Sequence, residues 1–248
     1  MVRALVILLA WLPALGFAQD YVMYETIYLK VLPGHSQQFN DAMKAHNERF
    51  HGPGPYQASV WFIANGPRSG QMFWVMGPTT FTHLDSRPSD TDHQSDWADT
   101  VLLHAEVSEG EYWRLDPELS HNVTDQPSPL LRARIFDIEA GEMDRFNELQ
   151  RKLRAVDKAK NRTRSTSVFH SVARSRTGRD VAVVRYYKNW AELDAGGMDS
   201  FVRDFEDVHG AGSWAQLIRD RRDVVVSEED EFHELIPELS VDTSTSND

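Results

Sequence analysis

Ten histidines and no cysteine restrict any metal site to imidazole and oxygen ligands, and exclude disulfides, thiolate sites and thiol nucleophiles. His46 and His51 are five residues apart, off the i, i+4 spacing that sets two imidazoles on one helical face. His83, Asp85, Asp90, Asp92 and His93 cluster along the chain and offer ligands of the right type for a divalent cation. A solvated acidic loop is the ordinary reading of such a stretch, and nothing in it fixes a coordination geometry. No metal and no cofactor is assigned from these residues. The chain also lacks a Gly-x-Ser-x-Gly elbow, a Walker loop and a dinucleotide fingerprint.

Charged residues within apolar, strand-like segments are more informative. Along the first such segment Glu25, Ile27, Leu29 and Val31 share a face, and the corresponding residues of a later segment are Arg132, Arg134, Phe136 and Ile138. If that face is enclosed, Glu25, Arg132 and Arg134 have to pair. If the charges sit at an exposed strand start, they carry no site. In the first case Glu25, Tyr28, Trp61, Arg134 and His170 are the candidate ligand-binding residues: aromatic walls with a few polar groups, as small-molecule pockets have. Arg134 and His170 would form a cationic wall suited to an anionic or carbonyl-bearing ligand. No catalytic residue is assigned.

The elements that must position these residues are legible because the sequence repeats. Gly34, Phe39 and Asn40 align with Gly141, Phe146 and Asn147 at an offset of 107. Ser59-Val60-Trp61 meets Ser167-Val168-Phe169, and Gly70 meets Gly178, at 108. Leu84-Asp85 meets Leu193-Asp194 at 109, Trp97-Ala98 meets Trp214-Ala215 at 117, and Pro117 to Ser120 recurs as Pro237 to Ser240 at 120. The increasing offset places insertions in loops.

Each copy reads as strand, helix, strand, strand, helix, strand. Tyr21–Val31 and Leu130–Ile138 are the first strands. Helices follow, carrying Phe39, Met43, His46 and Phe50, or Phe146, Leu149, Leu153 and Val156, on one stripe. Strands 57–64 and 71–76, and their counterparts 166–172 and 180–187, turn at glycine-containing clusters. Second helices centre on Trp97, Val101 and Ala105, and on Trp214, Leu217 and Ile218; strands 106–115 and 224–235 close the units. The fold class is therefore α+β: two tandem ferredoxin-like β-α-β-β-α-β repeats forming an internal pseudo-dimeric α/β barrel, with the sheets facing one another. The expected boundaries are 19–120 and 130–240 for the repeats, 121–129 for the linker, and 241–248 for a disordered tail.

This doubled unit, with its Pro33-Gly34 helix entry and paired Phe39 and Phe146, resembles the dimeric α/β-barrel superfamily: antibiotic-biosynthesis-monooxygenase-type, stress-responsive-barrel and NIPSNAP-like domains. The resemblance covers roughly Tyr21 to Ser240. Its members range from cofactor-independent oxygenases to haem-degrading enzymes, so it implies a fold without selecting a function. The haem-degrading branch uses a first-strand asparagine with a tryptophan and a histidine on the second helix. Here Trp97 and His104 would share a helical face, but Ile27 and Arg134 occupy the asparagine position. Trp97 reads instead as a core anchor, and His104 as a polar residue near the helix end.

Arg3, the apolar run Ala4–Leu15 and the small residues Gly16 and Ala18 compose a secretory signal peptide, residues 1–18. A periplasmic or secreted protein with no integral membrane segment after cleavage is expected. A net charge of −12 disfavours nucleic acid as a partner. Against that acidic background, the basic run Arg151–Arg164 is either a solvated helix face or a docking site for an acidic partner. The leading functional expectation is an exported protein that binds a small apolar or aromatic molecule in the barrel. The alternatives are a cofactor-independent monooxygenase-type enzyme and a non-catalytic structural or interaction module.

Overall fold

A computed structural model describes residues 21–87, 91–123, 128–173, 178–194 and 198–241. The expected signal peptide, residues 124–127 of the expected linker and residues 242–248 of the expected tail lie outside the described residues.

Among the described residues eight strands carry the fold: β1 (Met23–Val31), β2 (Ala58–Ile63), β3 (Met72–Thr79), β4 (Ala105–His121), β5 (Leu130–Ile138), β6 (Thr166–Ser171), β7 (Val181–Tyr187) and β8 (Val225–Leu235). The helices are α1 (Ser36–Phe50), α2 (Phe81–Asp85), α3 (Thr91–Asp96, continuing as a π turn over Trp97–Val101), α4 (Met143–Ala159), α5 (Met198–His209) and α6 (Ser213–Val224). No helix among the described residues is long and apolar enough to cross a membrane.

The strands close into one antiparallel barrel in the order β1-β3-β2-β8-β5-β7-β6-β4. Each half of the chain supplies four neighbouring strands in the same internal order, but the halves do not stack as two separate sheets. They join edge to edge instead, β2 to β8 and β4 to β6. A sheet edge is a row of unpaired N–H and C=O groups, and closure removes it. The β2–β8 seam needs the β2–β3 turn to lie close against β8. Gly66 makes that possible: φ is +89°, and a Cβ there would meet Asp230 O at 2.9 Å.

Strand alternation sends side chains to two sides of the wall. Outside the first half, Phe39 and Met43 of α1 pack on Leu29, Val60, Trp74 and Met76. Outside the second, Phe146 and Leu149 of α4, Phe205 of α5 and Leu217 of α6 pack on Phe136, Val168 and Val181. Inside lies a third cluster of Trp61, Trp113, Leu131, Ala133, Ile135, Ala182 and Val184.

Three elements differ from the sequence reading, the short helix α2 among them. The second helix of the first half ends at Val101, and Ala105 already begins β4. In the second half the inserted length is not loop but α5, whose Phe201, Phe205 and Val208 face the core at helical spacing.

Candidate functional site

The barrel interior is polar at the end where the β2–β3 and β6–β7 turns lie. Arg68 donates to Glu109 (2.7 Å) and Glu229 (2.9 Å), while Arg179 donates to Glu111 (2.6 Å), Glu229 (3.0 Å) and the Tyr28 hydroxyl (2.6 Å). His233 bonds Glu231 at 3.1 Å, and both are fully buried. Burial pushes the Tyr28 phenol well above its ordinary range. Burial also raises the Glu231 carboxyl, but His233, Arg68 and Arg179 outweigh it and hold the group below its ordinary value. Each of these side chains is paired, with His233 Nδ1 the one network atom left without a partner among the described residues, so the network braces the wall rather than offering a binding surface.

A cavity of about 80 Å³ opens outside the barrel, under α4 and α6 of the second half. Five arginines line it: Arg132 and Arg134 of β5, Arg154 of α4, Arg185 of β7 and Arg221 of α6, with Phe136, Phe146 and Leu153 as apolar wall. Three carboxylates answer them. Asp230 pairs with Arg132 (2.7 Å) and Arg134 (3.2 Å), Asp157 with Arg154, and Glu228 with Arg221. Burial raises Asp230, but the hydrogen bond from Arg132 and the nearby Arg134 hold its carboxyl below the usual value. Arg185 has no hydrogen bond or ion pair among the described residues, although it stands directly opposite Arg132 in the β5–β7 register. Like charges facing each other across a strand pair destabilise a sheet. Burial above all, with Arg164 and Arg134 nearby, pushes Arg185 below its ordinary value. Among the described residues the wall therefore holds more guanidinium than carboxylate charge.

A second cluster lies outside the first half, where α1, α3 and β3 meet. His46, on the third turn of α1, is 1% exposed, and its Nδ1 bonds Asp96 Oδ2 at 2.7 Å. His51 lies one residue past the helix, at φ −123°, and this non-helical step turns its ring back towards His46. Its Nδ1 bonds the Tyr56 carbonyl at 2.8 Å. His93 of α3 stacks on His46 with ring centroids 5.0 Å apart, and its Nε2 lies 3.3 Å from His51 Nε2. One ring nitrogen from each of the three histidines falls within 4.8 Å of the others. Burial drives His51 down to about 3 and lowers His46 as well, so both imidazoles are neutral.

The sequence-derived candidates do not meet in one pocket. Arg134 alone lines the cavity. Tyr28 and Trp61 lie inside the barrel, where both neighbour Phe73. Glu25 faces outward and is held by Arg87 and Tyr112. His170 faces Asp116 at 3.3 Å, so the cationic wall is built from arginines and not from His170. His104 is not on a helix; it follows the π turn and bonds His35 at 3.0 Å. Of the acidic loop, His93 turns inward, Asp92 pairs with Arg49 and His83 meets the Thr80 hydroxyl, while Asp90 lies outside the described residues. Within the basic run, Arg154 points into the cavity and Lys160 and Arg162 pair with α5 through Asp207 and Asp204.

The interior network left a signal that residue-type searches pass over. Glu109-Gly110-Glu111-Tyr112-Trp113 and Glu229-Asp230-Glu231-Phe232-His233 stand 120 residues apart, the offset already set by Pro117 and Pro237. Alternation sends Glu109, Glu111, Glu229 and Glu231 inward, and Asp230 outward to the arginine cavity.

No family model and no curated protein matches this chain. Solved structures do match its fold. A candidate monooxygenase from Lactobacillus acidophilus NCFM is 10% identical, with 88% of this chain and 94% of that one covered at a TM-score of 0.52. The chlorite dismutase of Candidatus Nitrospira defluvii, solved with imidazole, is 12% identical, with 88% and 92% covered at 0.54. An anthrone oxidase-like protein is 8% identical, with 88% and 92% covered at 0.53. The chain thus has the antiparallel α+β barrel fold of these proteins, and at such identities the likeness carries no residue assignments.

Proposed function

We propose that this chain is an exported binding protein for a small molecule bearing a carboxylate or phosphate, held in the arginine cavity under α4 and α6. We also read its two halves as copies of one ancestral unit, of which only the second acquired this site. The observation that carries the binding reading is Arg185, a partly buried guanidinium without a partner among the described residues, opposite the like charge of Arg132. An arrangement that costs stability when empty is relieved by an anion. The volume suits a small oxyanion, and the apolar wall of Phe136, Phe146 and Leu153 suits a short hydrocarbon body. The barrel interior, filled by Trp61, Trp113 and their neighbours, is the less suitable place. Calorimetric titration with phosphate and with benzoate tests this. Saturable binding of either, weakened at least about tenfold by Arg185→Met, is the expected result; no binding of either by the unaltered protein rejects the reading.

A cofactor-independent monooxygenase-type enzyme is the second reading. Its support is the shared fold with a candidate monooxygenase and an anthrone oxidase-like protein. Oxygen uptake on adding anthrone, present with native and absent with heat-denatured protein, would favour it over simple binding.

A further inference from the structure

The hydrogen bonds around the histidine cluster fix where its protons are. The Tyr56 carbonyl can only accept, so His51 Nδ1 carries the hydrogen and its Nε2 presents a lone pair. The Asp96 carboxylate likewise accepts from His46 Nδ1, which leaves His46 Nε2 bare. That nitrogen is buried and has no hydrogen-bond partner among the described residues. Two lone pairs therefore share one cluster whose ligand atoms lie within 4.8 Å of one another, and a proton on His93 Nε2 directed at His51, 3.3 Å away, leaves His46 Nε2 without a donor among the described residues. A buried acceptor left unsatisfied destabilises the fold, and this one is held in place by a carboxylate behind it.

A cation removes the conflict. Two imidazole nitrogens bound at 2.0–2.1 Å in a tetrahedral site lie about 3.3–3.4 Å apart, which is the separation of His51 and His93. The outer partners are those that orient metal-bound histidines in general: a carboxylate behind one ring and a backbone carbonyl behind another. Trp74 and Trp97 pack beside His51 and His46 with ring centroids 5.0 Å away in each pair, excluding water from the inner side. Among the described residues no carboxylate joins the three nitrogens. Three protein ligands with a fourth position free is the pattern of zinc sites that bind water or a small ligand.

We propose that His46, His51 and His93 bind one divalent transition-metal ion of the zinc class, leaving a fourth position for water or a small ligand. Asp96 and the Tyr56 carbonyl are positioning groups. The site lies outside the first half of the barrel, away from the arginine cavity, and does not depend on it.

The test uses the full chain, stripped with a chelator and dialysed, then titrated with cobalt(II) and back-titrated with zinc(II). One equivalent of cobalt should bind saturably, give the visible bands of a four-coordinate imidazole site, and be displaced by one equivalent of zinc. The melting temperature should rise with zinc, because the ion binds only the folded chain. His93→Ala, at a partly exposed position on a short helix, should retain the fold by circular dichroism and lose at least a hundredfold in affinity. Asp96→Asn should weaken binding by about 10–100-fold with the cobalt bands retained. Failure to take up one saturable equivalent overturns the proposal. So does wild-type affinity in folded His93→Ala, which would put the ion elsewhere.

Discussion

The hydroxyl of Ser120 accepts a hydrogen bond from the backbone N–H of Val168 at 2.9 Å, tying the end of the first half's last strand to β6 of the second. The reciprocal bond runs from Val60 N–H to Ser240 at 3.0 Å. Beside each serine a leucine crosses over. Leu119 is buried among Phe136, Phe146 and Leu217, and Leu239 among Phe39, Met43 and Trp74. Each half thus completes the helix-side core of the other. Leu119→Ala and Leu239→Ala should each cost about 2–5 kcal/mol, the range for a leucine removed from a packed core. Urea denaturation followed by tryptophan fluorescence measures it; a loss below 1 kcal/mol in both would show the crossing leucines to be dispensable.

The same exchange makes either half incomplete. A chain of residues 19–120 would keep β4-β1-β3-β2 but leave β2 and β4 as open edges, and its helix-side core would lack Leu239. Such edges pair with whatever strand is available. The half-chain should therefore run as a dimer or larger species in analytical ultracentrifugation. A monomer that melts cooperatively would mean that one half folds without the other.

How far the sequence discloses this molecule depends on which interactions are local. The strands and α1 and α4 follow from alternation and helical stripes, and Phe39 and Phe146, matched at an offset of 107, are both fully buried. Trp97 and Trp214 are packed against their cores but only partly buried, so they are lesser anchors than their spacing suggests. α5 is hidden because an eight-residue jump in offset, from 109 to 117, looks like loop when only aligned residues are followed. Closure into a barrel is not local at all: it is decided by edge pairing between residues as distant as Trp61 and Leu235. The histidines follow the same logic. A search for i, i+4 pairs passes over His46 and His51 because it assumes that both are helical, whereas His51 is the residue at which the helix stops.

The proposed export makes a separate prediction. Arg3, the apolar run to Leu15 and the small residues Gly16 and Ala18 fit the pattern of a signal peptide cut after Ala18. Protein recovered from outside the cytoplasm should have an intact mass that begins at Gln19. A mass that includes residues 5–15 would rule cleavage out.

Acid should weaken the fold in two stages, for reasons the buried groups specify. His233 is enclosed and burial lowers its ring from the ordinary 6.5, against the raising effect of Glu231. The unfolded chain therefore takes up a proton near pH 6.5 that the folded chain refuses, and stability begins to fall below that pH. His46 and His51, also lowered from 6.5, act in the same direction. Each such group contributes up to about 1.4 kcal/mol per pH unit. Glu231 enters later. Its carboxyl is held below the ordinary 4.5, so its contribution is complete above that value and is lost as pH falls through the lower, folded one. Urea midpoints of chelator-treated protein should thus be level at neutral and mildly alkaline pH, decline below about 6.5 and steepen below about 4.5. His233→Gln should flatten the upper stage by about a third, since one of three buried imidazoles is gone. Midpoints that stay constant from about pH 7 to pH 5 would show that these rings are protonated in the folded protein, and the assignment of neutral buried histidines would have to be withdrawn.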